Sequence, residues 1–148
     1  MLAPPFSNLV ERLVSFLPMF VGCVINESLS HKGAMAGLDP VAERVVDRPT
    51  DPDATTWHVR WYQLDEASLR ARLPGLAEAM RPQWYAHFWS GDDLCVVLAG
   101  RTFWAKASDR TTWREFIAYG DKAGIERQWT ENIPTVLPDW VAAALDRK

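Results

Sequence analysis

His87 and Tyr85 stand two residues apart in the run Trp84-Tyr85-Ala86-His87-Phe88-Trp89. On a β-strand alternate side chains share a face, so the imidazole and the phenol project to one side. An imidazole titrates near neutrality and suits a general acid or base, and a neighbouring phenol can share its hydrogen bond. His87 and Tyr85 are therefore the candidate catalytic pair. Against this chemistry, no carboxylate sits at a spacing that would orient the ring. The competing reading is a half-buried structural histidine bonded to a backbone carbonyl.

Other constellations carry less. His58 and His87 could approach one another, with Cys95 or Asp92 as a third donor. No ligand pair has the close spacing of a dedicated metal motif, so no metal site is expected. Cys95 lies mid-strand among valines, a poor setting for an activated thiolate. Asp92 and Asp93 fall in a turn and read as solvated. Gly91, Gly100, Gly120 and Gly124 each serve a local turn or cap, not a phosphate-cradling loop, and no cofactor is expected.

The chain as a whole narrows the function classes further. It carries a net charge of −3, and Arg60, Arg70, Arg72, Arg81 and Arg101 are scattered among acids. Binding nucleic acid through its phosphates needs clustered cations, so nucleic acid is not an expected partner. Two cysteines, Cys23 and Cys95, are too few for a disulfide framework or a structural zinc site. Both lie in apolar runs and read as buried, reduced thiols of a cytoplasmic protein.

The N-terminal region is awkward. Leu13 to Ile25 is uncharged and apolar, interrupted by Pro18 and Gly22, and too short to cross a bilayer as a helix. Three readings compete. An export signal is opposed by Glu11 beside Arg12. Val21-Gly22-Cys23 nonetheless resembles the end of a lipobox, which would make Cys23 the anchor of an exported lipoprotein. A short helix from Ser7 to about Leu17, ended by Pro18, is the second reading. A true start at Met35 is the third. On the last two, residues 1–34 are an accessory segment, and residues 35–56 form an acidic, Pro-rich linker holding Pro40, Pro49 and Pro52.

The elements that must position the candidate pair follow from periodicity. Trp57 to Tyr62 alternates with period two and predicts a strand. Asp65 caps a helix over Ala67 to Met80, interrupted at Pro74. Strands follow over Gln83 to Trp89, Leu94 to Leu98 and Thr102 to Ala105, joined by turns at Ser90-Gly91-Asp92-Asp93 and Ala99-Gly100. Thr112 and Glu115 fit a capping box opening a helix that Gly124 ends. An extended stretch around Gln128 and a last helix from Pro138 complete the chain. The order predicts an α+β fold over residues 57–148: a ferredoxin-like sandwich with a mostly antiparallel sheet and helices packed on one face.

The Trp84–Trp89 run is followed by Gly91-Asp92-Asp93, a Val-rich strand, Phe103, Trp113, Tyr119-Gly120, Gly124-Ile125 and Gln128. This pattern resembles a family of small bacterial α+β proteins for which no activity is established. The resemblance covers about residues 57–130. It implies a compact α+β unit and no particular function.

Assigning faces by alternation gives one wholly apolar side, with Trp57, Val59, Trp61, Trp84, Ala86, Phe88, Leu94, Val96 and Leu98. The opposite side collects His58, Arg60, Tyr62, Tyr85, His87, Trp89, Cys95 and Val97. So aromatic a face is seldom left open on a soluble monomer. It predicts a binding or self-association module, occupied by a small apolar ligand or by a second copy in a homodimer. The alternative is a small cofactor-independent enzyme of the dimeric α+β barrel type, with His87 as acid/base and Tyr85 or Arg60 polarising the substrate. A cavity open behind His87 favours the enzyme, and a face sealed by another element favours the module.

Overall fold

The computed structural model describes residues 18–147. Six strands form one antiparallel sheet: β1 (Met19–Ile25), β2 (Ala42–Asp47), β3 (Thr56–Asp65), β4 (Ala86–Ser90), β5 (Asp93–Leu98) and β6 (Arg101–Lys106). Their spatial order is β2-β3-β1-β4-β5-β6. Helix α1 (Glu66–Ala79) joins β3 to β4, and α2 (Arg114–Lys122), α3 (Arg127–Thr130) and α4 (Asp139–Asp146) follow β6. The proposed helix over residues 7–17 lies outside the described residues.

The strand at the middle of this sheet is β1, which corrects the accessory reading of residues 1–34. It pairs with β3 from Met19↔Asp65 to Ile25↔Val59, and with β4 through Val21↔Trp89, Gly22↔Phe88 and Cys23↔His87. A strand covered on both faces loses the polar alternation that marks a half-buried one, so its apolar run reads equally as helix, leader or strand. Gly22 is needed where it stands. A Cβ there would lie 2.1 Å from Phe88 Cδ1 and 2.4 Å from the His87 carbonyl oxygen. The segment after β1 is also integral, because Ser30 N–H donates to the Ala79 carbonyl and Arg81 N–H to that of Ser28.

The linker reading is corrected in the same way. Residues 42–47 are the edge strand β2, paired with β3 from Ala42↔Trp61 to Asp47↔Thr56. Its sequence is polar because one edge and much of its surface face water, so it carries no hydrophobic signature.

Both faces of the sheet are covered, not one, and the ferredoxin-like arrangement is not found. Phe20, Val24, Tyr62, Leu64, Ala86, Phe88, Cys95 and Val97 pack with Leu69, Leu73 and Leu76 of α1. On the other side Trp61, Trp89, Leu94, Val96, Leu98 and Phe103 pack with Trp113, Phe116, Ile125, Ile133 and Val141. The LCVVL segment of β5 faces apolar partners in both directions, which requires two covering layers.

Local signals along the chain are realised in part. Asp65 does cap α1, its Oδ1 accepting the Ser68 N–H at 2.7 Å, and Pro74 is accommodated inside that helix. Gly91 and Gly100 take positive φ in the two expected tight hairpins. The Thr112–Glu115 capping box does not form. Asp109 instead caps a 3-10 turn over Arg110–Trp113, Thr112 Oγ1 accepts the Lys106 N–H at 2.9 Å, and Glu115 approaches Arg101. The stretch around Gln128 is the helical turn α3, not extended.

Candidate functional site

Register decides what His87 meets. Reading across the sheet, Trp61 lies opposite Cys23, Cys23 opposite His87, and His87 opposite Val96. Tyr85, His87 and Trp89 therefore share a face with Trp61 and Val96. His58, Arg60, Tyr62 and Cys95 occupy the other face, with α1. The single aromatic face expected from sequence is two half-faces on opposite sides of the sheet, one covered around His87 and the other covered at Tyr62 and Cys95 but open at His58 and Arg60. The error is one of relative register: alternation fixes sides within a strand, and β1 sets them between β3 and β4.

Three of the predicted residues form an aromatic row. Tyr85 and His87 have ring centroids 6.2 Å apart, and His87 stacks on Trp89 at 5.5 Å with planes 7° apart. Trp61 meets His87 edge-on at 6.4 Å. His87 is only 6% exposed. Burial pushes its pKa down to about 4, partly offset by the nearby Pro134 carbonyl, so the ring is neutral at pH 7. Burial likewise pushes the Tyr85 phenol and the Cys23 thiol up to about 12.

One end of this row opens into a cavity of about 190 Å³. Cys23 and Ile25 of β1, Trp57 of β3 and the Gln83–His87 approach to β4 form its floor and sides, while Ile125 and Trp129 close it from the helical layer. Asp51 and Asp53 reach it from the β2–β3 loop. That loop is fixed by Asp51 Oδ1, which accepts the N–H groups of Asp53 and Ala54, and by Trp57 Nε1–H donating to the Ala54 carbonyl. Two nitrogens of lining residues, Trp84 Nε1 and His87 Nε2, have almost no accessible surface and no hydrogen-bond partner among the described residues. Gln83 in the same wall holds φ at +73°, rare for a residue with a Cβ, and its side chain packs over Gly124. Strain of this kind gathers at ligand clamps.

The remaining predicted residues are elsewhere. His58 Nδ1 pairs with Glu27 Oε2 at 2.7 Å, and its backbone N–H donates to Glu27 Oε1. Arg60 Nε approaches Glu43 at 3.4 Å, and both Arg60 and the buried Tyr62 line a separate cavity of about 200 Å³ behind residues 24–38. Cys95 is fully buried under α1, its thiol pushed up to about 12 by desolvation. Cys23 lies in mid-strand between Trp61 and His87, where cleavage ahead of it would cut β1 in two. Among the described residues no group of His, Cys, Asp or Glu is placed to hold a metal ion. No helix among them is long and apolar enough to cross a membrane.

Sequence reading missed Cys23, Ile25, Asp51 and Asp53 by setting their segments aside, and assigned Trp57 and Trp84 to core. Trp129 did carry a signal. It is a lone tryptophan in the polar stretch Glu126-Arg127-Gln128-Trp129-Thr130-Glu131, and it is 45% exposed at the cavity. No protein-family model, curated protein or solved structure matches this chain.

Proposed function

We propose that this protein is a small-molecule-binding module whose site is the aromatic cavity beside His87. The observation that carries this reading is the cavity itself, walled by Trp57, Trp84, Tyr85 and Trp129 and lined also by His87. Aromatic walls with a few polar groups are the usual lining of a small-molecule site. The cavity's 190 Å³ is below the roughly 300–1,000 Å³ of drug-sized sites and above the ~150 Å³ that holds benzene, so the ligand is small. A second copy is not needed to cover the aromatic row, because Trp113, Phe116, Ile125, Ile133 and Val141 already pack in that layer.

The test is a two-dimensional NMR titration with a panel of small probes, neutral and cationic. The indole N–H signals of Trp84 and Trp129 should shift saturably, and Ile125→Trp, which fills the cavity, should abolish the response. No saturable shift with any probe overturns the reading.

The place of His87 beside Tyr85 in the cavity lining also supports a second reading, a cofactor-independent enzyme with His87 as acid/base and Tyr85 as the polarising group. Arg60 is not available for that role, since it belongs to the opposite face. A ring whose pKa is pushed to about 4 is a weak base at neutral pH. Binding is therefore the preferred reading. Turnover lost in His87→Gln with ligand affinity retained would reverse the order.

A further inference from the structure

The cavity's lining has a distinctive charge and shape. Three indoles (Trp57, Trp84, Trp129) and the Tyr85 phenol surround it, and among the described residues its only charged lining groups are Asp51 and Asp53. Neither carboxylate is in an ion pair among the described residues. Trp57 and Trp84 meet at 61° with centroids 5.3 Å apart, so two π-systems form a corner. Trp57 already attracts a cation: the Arg48 guanidinium, which is not part of the lining, sits 4.5 Å from its ring centroid. Indole faces carry the negative lobe of the ring quadrupole and bind weakly hydrated cations best.

We infer that the ligand is a small alkylated ammonium compound, held by the Trp57–Trp84–Trp129–Tyr85 walls with Asp51 and Asp53 facing its charge. This rests on the cavity being a ligand site. The walls supply cation–π attraction, and the carboxylates supply long-range attraction that an apolar ligand would not use. A phosphorylated headgroup is disfavoured, because its phosphate would meet two carboxylates. The ligand is thus a free, unphosphorylated ammonium compound, of which choline is the simplest probe, and not a lipid headgroup.

The test compares choline, its neutral carbon isostere 3,3-dimethylbutan-1-ol, and phosphocholine by calorimetry and by the Trp84 and Trp129 indole signals. Choline should bind at least about tenfold more tightly than the isostere, the ratio expected of one desolvated cation–π contact. It should also bind more tightly than phosphocholine. Asp53→Asn, which removes no hydrogen bond among the described residues, and the Asp51→Asn/Asp53→Asn pair should weaken choline and leave the isostere unchanged. Asn keeps the Oδ1 acceptor that the loop uses at position 51. Equal binding of choline and the isostere overturns the cation assignment while leaving the cavity a binding site. Tighter binding of phosphocholine overturns the choice of an unphosphorylated ligand. Silence from all three, with other panel probes also silent, removes the site itself.

Discussion

His87 lies face to face with Trp89, ring planes 7° apart and centroids 5.5 Å apart, inside a layer that leaves it 6% exposed. The imidazole is thus held as an aromatic body and kept neutral.

That burial makes stability depend on pH. The folded-state pKa of about 4 lies below the unprotected 6.5, so between them the unfolded chain binds the extra proton. Stability is full above pH 6.5 and falls as pH drops toward 4, by about 3 kcal/mol if the whole shift is realised. Tyr85 and Cys23 stay neutral throughout this window. Urea unfolding at several pH values should show the slope of one proton between 6.5 and 5, and His87→Gln should flatten it. The loss tied to Glu27 comes lower. Partial burial alone would raise its pKa, but hydrogen bonds from the His58 backbone and ring outweigh this and hold it down. Its contribution therefore disappears only as pH falls through that lowered value.

At neutral pH, His87→Gln should also cost about 1–2 kcal/mol, from lost stacking against Trp89 and Trp61 and an imperfectly replaced hydrogen-bonding group. Thermal melts of both proteins measure it. A variant as stable as the parent would show that the ring contributes little to packing and would strengthen the acid/base reading.

Gly22→Ala should destabilise the fold by about 3 kcal/mol, the upper end for overpacking, because the new methyl meets a neighbouring backbone carbonyl as well as a ring. Adding Phe88→Leu should restore only part of the loss, since the His87 carbonyl cannot be trimmed. Chemical denaturation of the single and double variants separates the two contacts.

A chain beginning at Met35 should not fold. It lacks β1, which joins β3 to β4 across the centre of the sheet and carries Phe20 and Val24 into the core. Poor amide dispersion in its NMR spectrum is the expected result. A cooperative melt like that of the full chain would contradict the central placement of β1.

Both thiols should resist alkylation in the native state. Desolvation raises Cys23 and Cys95 to about 12, leaving almost no thiolate at pH 8. A colorimetric thiol assay should report next to nothing until denaturant is added, then two groups per chain. Rapid native labelling at Cys23 would show that the cavity wall opens.

Read alone, the sequence determined what depends on neighbours along the chain. The alternation of Trp57 to Tyr62, the Asp65 cap, the two glycine hairpins and the apolar β5 run all specify local structure, and each is found. It also placed Tyr85 and His87 on one side, although Tyr85 stands just ahead of β4 and not in it. Tertiary structure alone decided the rest. An apolar seven-residue run has no periodicity to reveal whether it is a leader, a helix or a central strand, and Met19–Ile25 became the last of these because both of its neighbours were present to pair with it. That insertion set the register between β3 and β4, sent Arg60 and Tyr62 to one layer and His87 to the other, and joined Cys23, Trp57, Trp84, Asp51 and Trp129 around one cavity. Contacts between residues so far apart in sequence are made by pairing and packing, and no pattern within a single segment encodes them.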